Sequence, residues 1–315
     1  MKIELVTPAL PSARNGNSVT ALRWARFLKR MGHRVRVSQF YTSRPCDLLI
    51  ALHARRSFES IRRFQEQHPD LPLIVALTGT DLYRDIKTNR KAQKSLEIAT
   101  RLVVLQSMAL EELPRRLQSK TRVIYQSADR VNGHASEKNG FRVCVVGHLR
   151  PEKDPLRTAL AVRQLPESSR ISVVHVGGAL TDSLKKRAAR ESKTNPRYHW
   201  MGEMPYGKTR RILAESHLLS LTSVMEGSSN ALSEALASSV PVIASKIPGL
   251  IGTLGKDYPG YFQTGDTRNL GHLLYRVETD SDFYQSLSKH CARLAPLIDP
   301  AREQASWKEL LREFS

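Results

Sequence analysis

The residues with the most chemical promise lie at Met225-Glu226-Gly227-Ser228-Ser229-Asn230-Ala231-Leu232-Ser233-Glu234-Ala235-Leu236-Ala237. An apolar run, His217 to Leu221, precedes them and reads as a buried strand; Val240 to Ser245 follows and reads as the next one. Two glutamates therefore sit in a strand–loop–helix–strand unit, Glu226 in the loop and Glu234 inside the helix. Asn230 and Glu234, one turn apart, share a helix face. Gly227, Ser228 and Ser229 form the start of that helix, where free backbone N–H groups favour an anion and small side chains let it approach. The carboxylates suit hydroxyl donors such as those of a sugar or ribose. An anion and hydroxyls bound side by side describe a nucleotide-sugar.

A second cationic group lies at Gly147 to Lys153, directly after the strand Phe141 to Val146. Arg150 and Lys153, three residues apart near the next helix start, suit a diphosphate leaving group; an exposed charge pair is the alternative. In the first half, three loops at strand ends carry polar groups. Residues 8–17 connect the strand Lys2 to Val6 to a helix over Ser18 to Met31 and include Arg14, Gly16 and Asn17; they form an anion site or an ordinary connection. The strand Asp47 to His53 ends on His53, with Arg55, Arg56 and Ser57 next, and His53 is either structural or functional. The strand Leu73 to Leu77 leads into Thr78-Gly79-Thr80-Asp81, where Asp81 either faces the ligand or caps the following helix. In open α/β sheets ligands bind outside the carboxyl ends of the strands, where these loops fall.

The elements that must position these groups alternate strand and helix twice. Strands at Lys2 to Val6, Val35 to Ser38, Asp47 to His53, Leu73 to Leu77, Leu102 to Leu105 and Val123 to Tyr125 make a first set, with a short helix over Met108 to Leu117. The polar stretch Gln126 to Gly140 is the best linker. The second set has strands at Phe141 to Val146, Ile171 to Val176, Tyr198 onward, His217 to Leu221 and Val240 to Ser245, and Tyr258 to Phe262 precedes a turn at Gly265-Asp266. Its helices fall at Leu180 to Glu191, Tyr206 to Glu215, Asn269 to Val277 and Phe283 to Leu297, and Arg302 to Phe314 forms a last helix. The expected fold class is α/β, two Rossmann-like doubly wound domains: 1–139, 140–297, and a terminal segment 298–315.

The composition narrows the function. With 315 residues the chain is long enough for two cores. Its formal net charge is +19, and residues 1–140 carry 25 basic against 12 acidic side chains. Steering of anionic substrates, an anionic surface or a merely solvated basic face would each fit. No aromatic-interleaved basic stretch points to nucleic acid. Cys46, Cys144 and Cys291 lack metal or redox spacing, so no disulfide framework is expected and a cytoplasmic location fits; Cys144, inside an apolar strand, reads as buried and inert. No apolar run reaches membrane-spanning length, which argues against integral membrane contact. Asp280-Ser281-Asp282 matches a metal-holding string but opens an amphipathic helix, where Asp and Ser are good caps. Neither metal nor cofactor is expected, and no phosphate-loop or nucleophile-elbow pattern occurs.

The spacing of Glu226 and Glu234 resembles the E-x7-E signature of the GT-B glycosyltransferases of family 4. A closer resemblance, to the selenosugar synthase subfamily of selenoneine biosynthesis, is carried by Thr7-Pro8-Ala9, the run Gly16 to Ala25, Ala51-Leu52-His53-Ala54-Arg55-Arg56-Ser57, Leu77-Thr78-Gly79-Thr80-Asp81-Leu82-Tyr83 and the run Val146 to Pro155. The resemblance implies two domains facing a central cleft, with a C-terminal helix returning to the first. It implies a UDP-sugar donor, UDP-N-acetylglucosamine favoured, held by Gly16, Asn17, Gly147, Arg150, Lys153, Met201, Glu226, Gly227, Ser228, Ser229, Asn230 and Glu234. Glu226 would lie near the sugar, Glu234 near the ribose, and Trp200, Met201 and Gly202 near the base. Arg150, Lys153 and Glu226 would be catalytic. The acceptor implied is selenophosphate, with Arg14, His53, Arg55, Arg56, Thr80 and Asp81 around it, and the loop 247–255 closing over the sugar. The protein would act as a monomer or homodimer. The broad family's bulky residue and glycine after Glu-Gly are here Ser228 and Ser229, which puts ordinary sugar-alcohol acceptors in doubt. Two other readings stay open: a family 4 transferase acting on a glycan or lipid hydroxyl, and a nucleotide-sugar binder without turnover.

Overall fold

The computed structural model describes residues 1–8, 16–135 and 140–314. Among the described residues twelve strands form two six-stranded, all-parallel sheets. They are β1 (Lys2–Val6), β2 (Arg34–Ser38), β3 (Leu48–Leu52), β4 (Leu73–Leu77), β5 (Arg101–Val104), β6 (Thr121–Val123), β7 (Phe141–Val146), β8 (Ile171–Val176), β9 (Tyr198–Trp200), β10 (Leu218–Leu221), β11 (Val242–Ser245) and β12 (Tyr261–Phe262). The chain divides into two compact units: Met1–Gln126 with Glu226–Ser228 and Pro300–Ser315, and Ser127–Met225 with Ser229–Asp299.

The first unit holds the sheet β2-β1-β3-β4-β5-β6. Its central strands are buried on both faces, so they read as continuous apolar runs. Alternate residues feed two cores. Ile3, Leu5, Leu48, Ile50, Leu52, Ile74 and Ala76 pack on the face that takes the helix Gly16–Arg30 and the C-terminal helix Pro300–Arg312. Leu49, Ala51, Leu73, Val75, Leu77, Leu102 and Val104 pack on the other face, beneath the helices Phe58–Gln67 and Arg90–Ile98. Trp24 and Trp307 meet edge to face at 4.7 Å between ring centroids. Beside them the buried Glu303 accepts from Trp24 Nε1 at 2.6 Å and from Arg23 Nε at 2.9 Å. This pairing ties residues 280 positions apart and anchors the terminal helix to the first unit.

The second unit holds the sheet β12-β11-β10-β7-β8-β9 around one core that includes Val143, Val173, Leu218, Leu219, Ile243, Leu250 and Leu274. In each sheet the strand order reverses once, between β1 and β3 and between β7 and β10. Those crevices are where ligands bind in open α/β sheets.

Three expectations require correction. Residues 247–255 are not a loop: Pro248–Leu254 form a helix with proline in the first turn, ending at Gly255 with φ of 89°. The helix expected over Met108 to Leu117 breaks at Pro114 into a 3₁₀ turn, Ser107–Leu110, and a short helix, Arg115–Gln118, as proline's missing N–H requires. The sixth strand ends at Val123 rather than running to Tyr125. Asp280 does cap the helix Ser281–Leu294, accepting from Phe283 N at 2.9 Å.

Candidate active site

At the switch point of the second sheet, β7 ends at Val146 and the chain passes through Gly147 to a 3₁₀ turn, Pro151–Lys153. A β carbon on Gly147 would lie 3.8 Å from Cδ and Cε of Lys153, so the lysine stem packs alongside this glycine. Arg150 is half-buried, and its guanidinium makes no hydrogen bond among the described residues. Asp154 closes the turn in the left-handed region at φ 42°, with its carboxylate accepting from Arg157 Nε at 2.7 Å. The helix itself starts only at Arg157. Arg150 and Lys153 thus flank a tight turn ahead of the helix.

The loop after β10 is bonded to that turn. Thr222 Oγ1 lies 2.9 Å from the carbonyl oxygens of Lys153 and Asp154, and Val224 N donates to Glu152 O at 2.9 Å. A cavity of about 10 Å³ opens here, lined by Gly147, Lys153, Pro155, His175, Ser220 and Thr222 among others. His175 of β8 is one of its walls. The Nε2 of His175 lies 3.1 Å from the carbonyl oxygen of Gly147, which can only accept, so Nε2 carries the proton. Nδ1 then accepts from Tyr198 Oη at 2.8 Å. Burial holds the imidazole neutral, its pKa pushed down to about 4. Gly177 makes this closeness possible: a β carbon there would sit 1.9 Å from Gly147 O.

The helix Asn230–Ala237 begins after Ser229, whose hydroxyl accepts from Leu232 N. Glu234 is buried, and its Oε1 accepts from Tyr206 Oη at 3.0 Å. Arg210, also buried, donates from Nη1 to Tyr206 Oη at 3.2 Å and from Nη2 to the Asp129 carbonyl, while its Nε stands 4.0 Å from Glu234 Oε2. Tyr206 and Arg210 went unnoticed in the sequence. Their four-residue spacing on one helix is the only signal, and nothing in it points to Glu234. Met201, the candidate beside a base, is exposed after β9.

In the first unit, Gly16 opens its helix and is exposed, Asn17 is half-buried, and Arg14 lies outside the described residues. Glu226 is buried. Gly227 packs so closely on the turn after β4 that a β carbon would lie 2.5 Å from Thr78 C and 2.6 Å from Gly79 N, while Ser228 is half-buried. Asp81 starts a π-helical turn, Asp81–Asp85, and is fully buried. Its Oδ1 accepts from Thr78 N and Gly79 N at 3.0 and 2.8 Å, and its Oδ2 from Ala54 N at 3.0 Å. The carboxylate therefore ties the loop after β3 to the turn after β4. His53 follows β3 at φ 69°, a region that disfavours a β carbon. Its Nε2 lies 3.0 Å from Thr80 Oγ1, and Arg56 N donates to its Nδ1 at 3.4 Å. Burial lowers the His53 pKa, and Arg56 and Arg55 add to this against the opposing pull of Asp81 and Asp85. Arg55 pairs with Asp85 at 2.6 Å; Arg56 is exposed, with no side-chain partner among the described residues. His53 and Thr80 thus form one hydrogen-bonded pair, with Asp81 Oδ2 3.9 Å from His53 Nδ1, while Arg55 is paired separately with Asp85.

Two parallel doubly wound units of this kind define the GT-B class of sugar-transferring proteins, and solved structures agree. HepE from Anabaena, in complex with UDP-glucose, superposes with a TM-score of 0.78 at 16% identity, covering 99% of this chain and 100% of that one. Sucrose-phosphate synthase from Thermosynechococcus elongatus gives 0.81 at 15% identity, covering 99% and 98%. The description "Glycosyl transferases group 1" matches residues 126–292, and the chain belongs to that family. A curated relative, the Escherichia coli UDP-Gal:alpha-D-GlcNAc-diphosphoundecaprenol alpha-1,3-galactosyltransferase, is 28% identical over 163 residues. That match spans 49% of this chain and 41% of the relative. Among the described residues no helix is long and apolar enough to cross a membrane.

Proposed function

We propose that this glycosyl transferase moves a sugar, N-acetylglucosamine in the favoured case, from a UDP-sugar to selenophosphate. Selenium attacks the anomeric carbon, the C1–O bond breaks, and its electron pair leaves on the β-phosphate of UDP. Hydrolysis of the Se–P bond by water then gives the seleno-sugar and phosphate. Arg150 and Lys153 stabilise the charge that develops on the leaving diphosphate. Glu226 takes sugar hydroxyls and Glu234 the ribose.

The observation that carries the acceptor half is the state of the groups at the ends of β3 and β4. The carboxylate of Asp81 accepts three backbone N–H groups, Asp85 is paired with Arg55, and both ring nitrogens of His53 are engaged. Each candidate base of this set already holds part of the fold, and the proposed reaction asks no proton abstraction of any of them. A soft nucleophile that is already anionic needs no base, and Arg56 offers it a positive charge.

The test is product mass analysis. Purified protein is mixed, without oxygen, with UDP-N-acetylglucosamine and freshly generated selenophosphate, beside an acceptor-free control. A product with the selenium isotope pattern at the mass of a seleno-hexosamine is expected. Intact donor, with UDP-sugar binding still seen by calorimetry, would overturn the selenium assignment. It would favour a glycan or lipid hydroxyl acceptor, the kind of substrate named for the galactosyltransferase relative.

A further inference from the structure

We infer that His53 is a positioning residue that turns the Thr80 hydroxyl into an outward hydrogen-bond donor, selecting an anionic acceptor over a neutral hydroxyl. The inference rests on the function proposed above and assigns the selectivity to one pair of side chains.

The tautomer follows from hydrogen-bond polarity. Arg56 N–H can only donate, so the His53 Nδ1 it meets at 3.4 Å accepts, and Asp81 Oδ2, 3.9 Å from Nδ1, lies beyond hydrogen-bond reach. In the neutral ring Nε2 then holds the proton and donates to Thr80 Oγ1 at 3.0 Å. Burial keeps the ring neutral. The Thr80 hydroxyl has no other partner among the described residues. Its own hydrogen is therefore turned away from His53, and Thr80, half-buried at the carboxyl end of β4, presents it as a donor. A ligand oxygen or selenium that bears negative charge accepts such a hydrogen well. An alcohol that must lose its proton during attack finds no acceptor of that proton here.

The geometry is held from several sides. His53 keeps a left-handed backbone at φ 69°, a cost that persists only where the surroundings impose it. Ser57 N donates back to His53 O, His53 N donates to Ala76 O, and Asp81 joins the two loops through Ala54 N.

A double-mutant cycle separates positioning from simple structure. The variants are Thr80→Val, His53→Leu, His53→Gln and the His53→Leu/Thr80→Val pair, each checked for folding by thermal unfolding. Gln and Leu share the backbone cost of φ 69°, but only Gln places an N–H near the Nε2 position. With selenophosphate and UDP-N-acetylglucosamine, Thr80→Val and His53→Leu should each raise KM for selenophosphate about tenfold, as loss of a hydrogen bond to a charged group does. His53→Gln should recover most of the loss, and the pair should be no worse than Thr80→Val alone. Additive losses, or a glutamine variant as poor as the leucine one, would overturn the inference. A second readout needs no turnover: ¹⁵N spectra of the imidazoles should show His53 as the Nε2–H tautomer. The Nδ1–H form would overturn the inference even if the reaction is right. If selenophosphate gives no turnover, the function proposed above falls, and the tautomer alone decides whether His53 orients Thr80.

Discussion

His175 makes the second unit's stability depend on pH in a way that can be worked from its surroundings. The ring is buried, donates to Gly147 O and accepts from Tyr198 Oη, so protonation would cost it a hydrogen bond and place a charge that no ion pair among the described residues offsets. Its pKa falls from 6.5 to about 4. A folded-state value below the unfolded one means that the unfolded chain takes up the proton first. The contribution is therefore full above pH 6.5 and is lost as pH falls through about 4. Over that window the loss is roughly 3 kcal/mol, at about 1.36 kcal/mol for each tenfold change in proton affinity. The assay is urea unfolding between pH 7.5 and 4.5, followed by a near-ultraviolet signal, for the native chain and for His175→Gln. His33 and His53, whose pKa values are also lowered, contribute equally to both proteins, so the difference between the two curves isolates His175. The native chain should lose stability more steeply as the pH drops, and the two curves should converge toward pH 4.5. Parallel curves would refute the reasoning, because a histidine that titrates alike in both states cannot be the neutral bridge drawn here.

Arg150→Ala and Lys153→Ala should each slow UDP release from a UDP-sugar on the order of a hundredfold with folding intact, because the leaving diphosphate loses a preorganised cation; near-native rates in both would remove the diphosphate assignment. Gly177→Ala should cost about 2 kcal/mol or more, since its β carbon would meet the Gly147 carbonyl oxygen at 1.9 Å and backbone cannot step aside cheaply. Gly178→Ala, whose nearest neighbours at 3.3–3.4 Å are side-chain atoms of Glu203 and His148, should be milder in the same thermal melt. Glu303→Ala should lower the urea midpoint of the first unit by an amount worth about 3 kcal/mol, because the buried Arg23 loses its carboxylate; a change below about 0.5 kcal/mol would mean the pair does not anchor the terminal helix.

The parts of the fold that were legible in the sequence share a cause. β1, β4, β7 and β8 have the bounds read from the chain, because buried parallel strands are short apolar runs ended by glycine, proline or polar residues. The helix Pro248–Leu254 carries both of its signals in the sequence, proline in the first turn and Gly255 just past the end. Resemblance suggested a loop there, and local chemistry was the better guide. In the sequence Asp81 fits either a ligand contact or a cap, and the structure shows its carboxylate accepting from the backbone of its own turn and from Ala54, 27 residues away. The first contact is visible as local spacing; the second depends on β3 and β4 being neighbours and has no local trace.

The same distinction divides the candidate site. Arg150, Lys153, Glu226 and Glu234 stand in two short stretches directly after neighbouring strands, so chain order and the strand-end rule were enough to bring them forward. What fixes their state comes from elsewhere in the chain. Glu234 meets the hydroxyl of Tyr206, 28 residues before it, and Tyr206 meets Arg210, whose other amino group bonds to the Asp129 carbonyl, 81 residues back. A carboxylate has room for several donors, so the Tyr206 hydroxyl can fix the Glu234 rotamer and still leave acceptor positions for a ribose. The chemistry offered at each strand end is thus set by adjacent residues, and its orientation by hydrogen bonds across the sheet. Only the first of these repeats as a motif, which is why a motif can point to candidate residues while leaving their hydrogen-bond partners to be found in the fold.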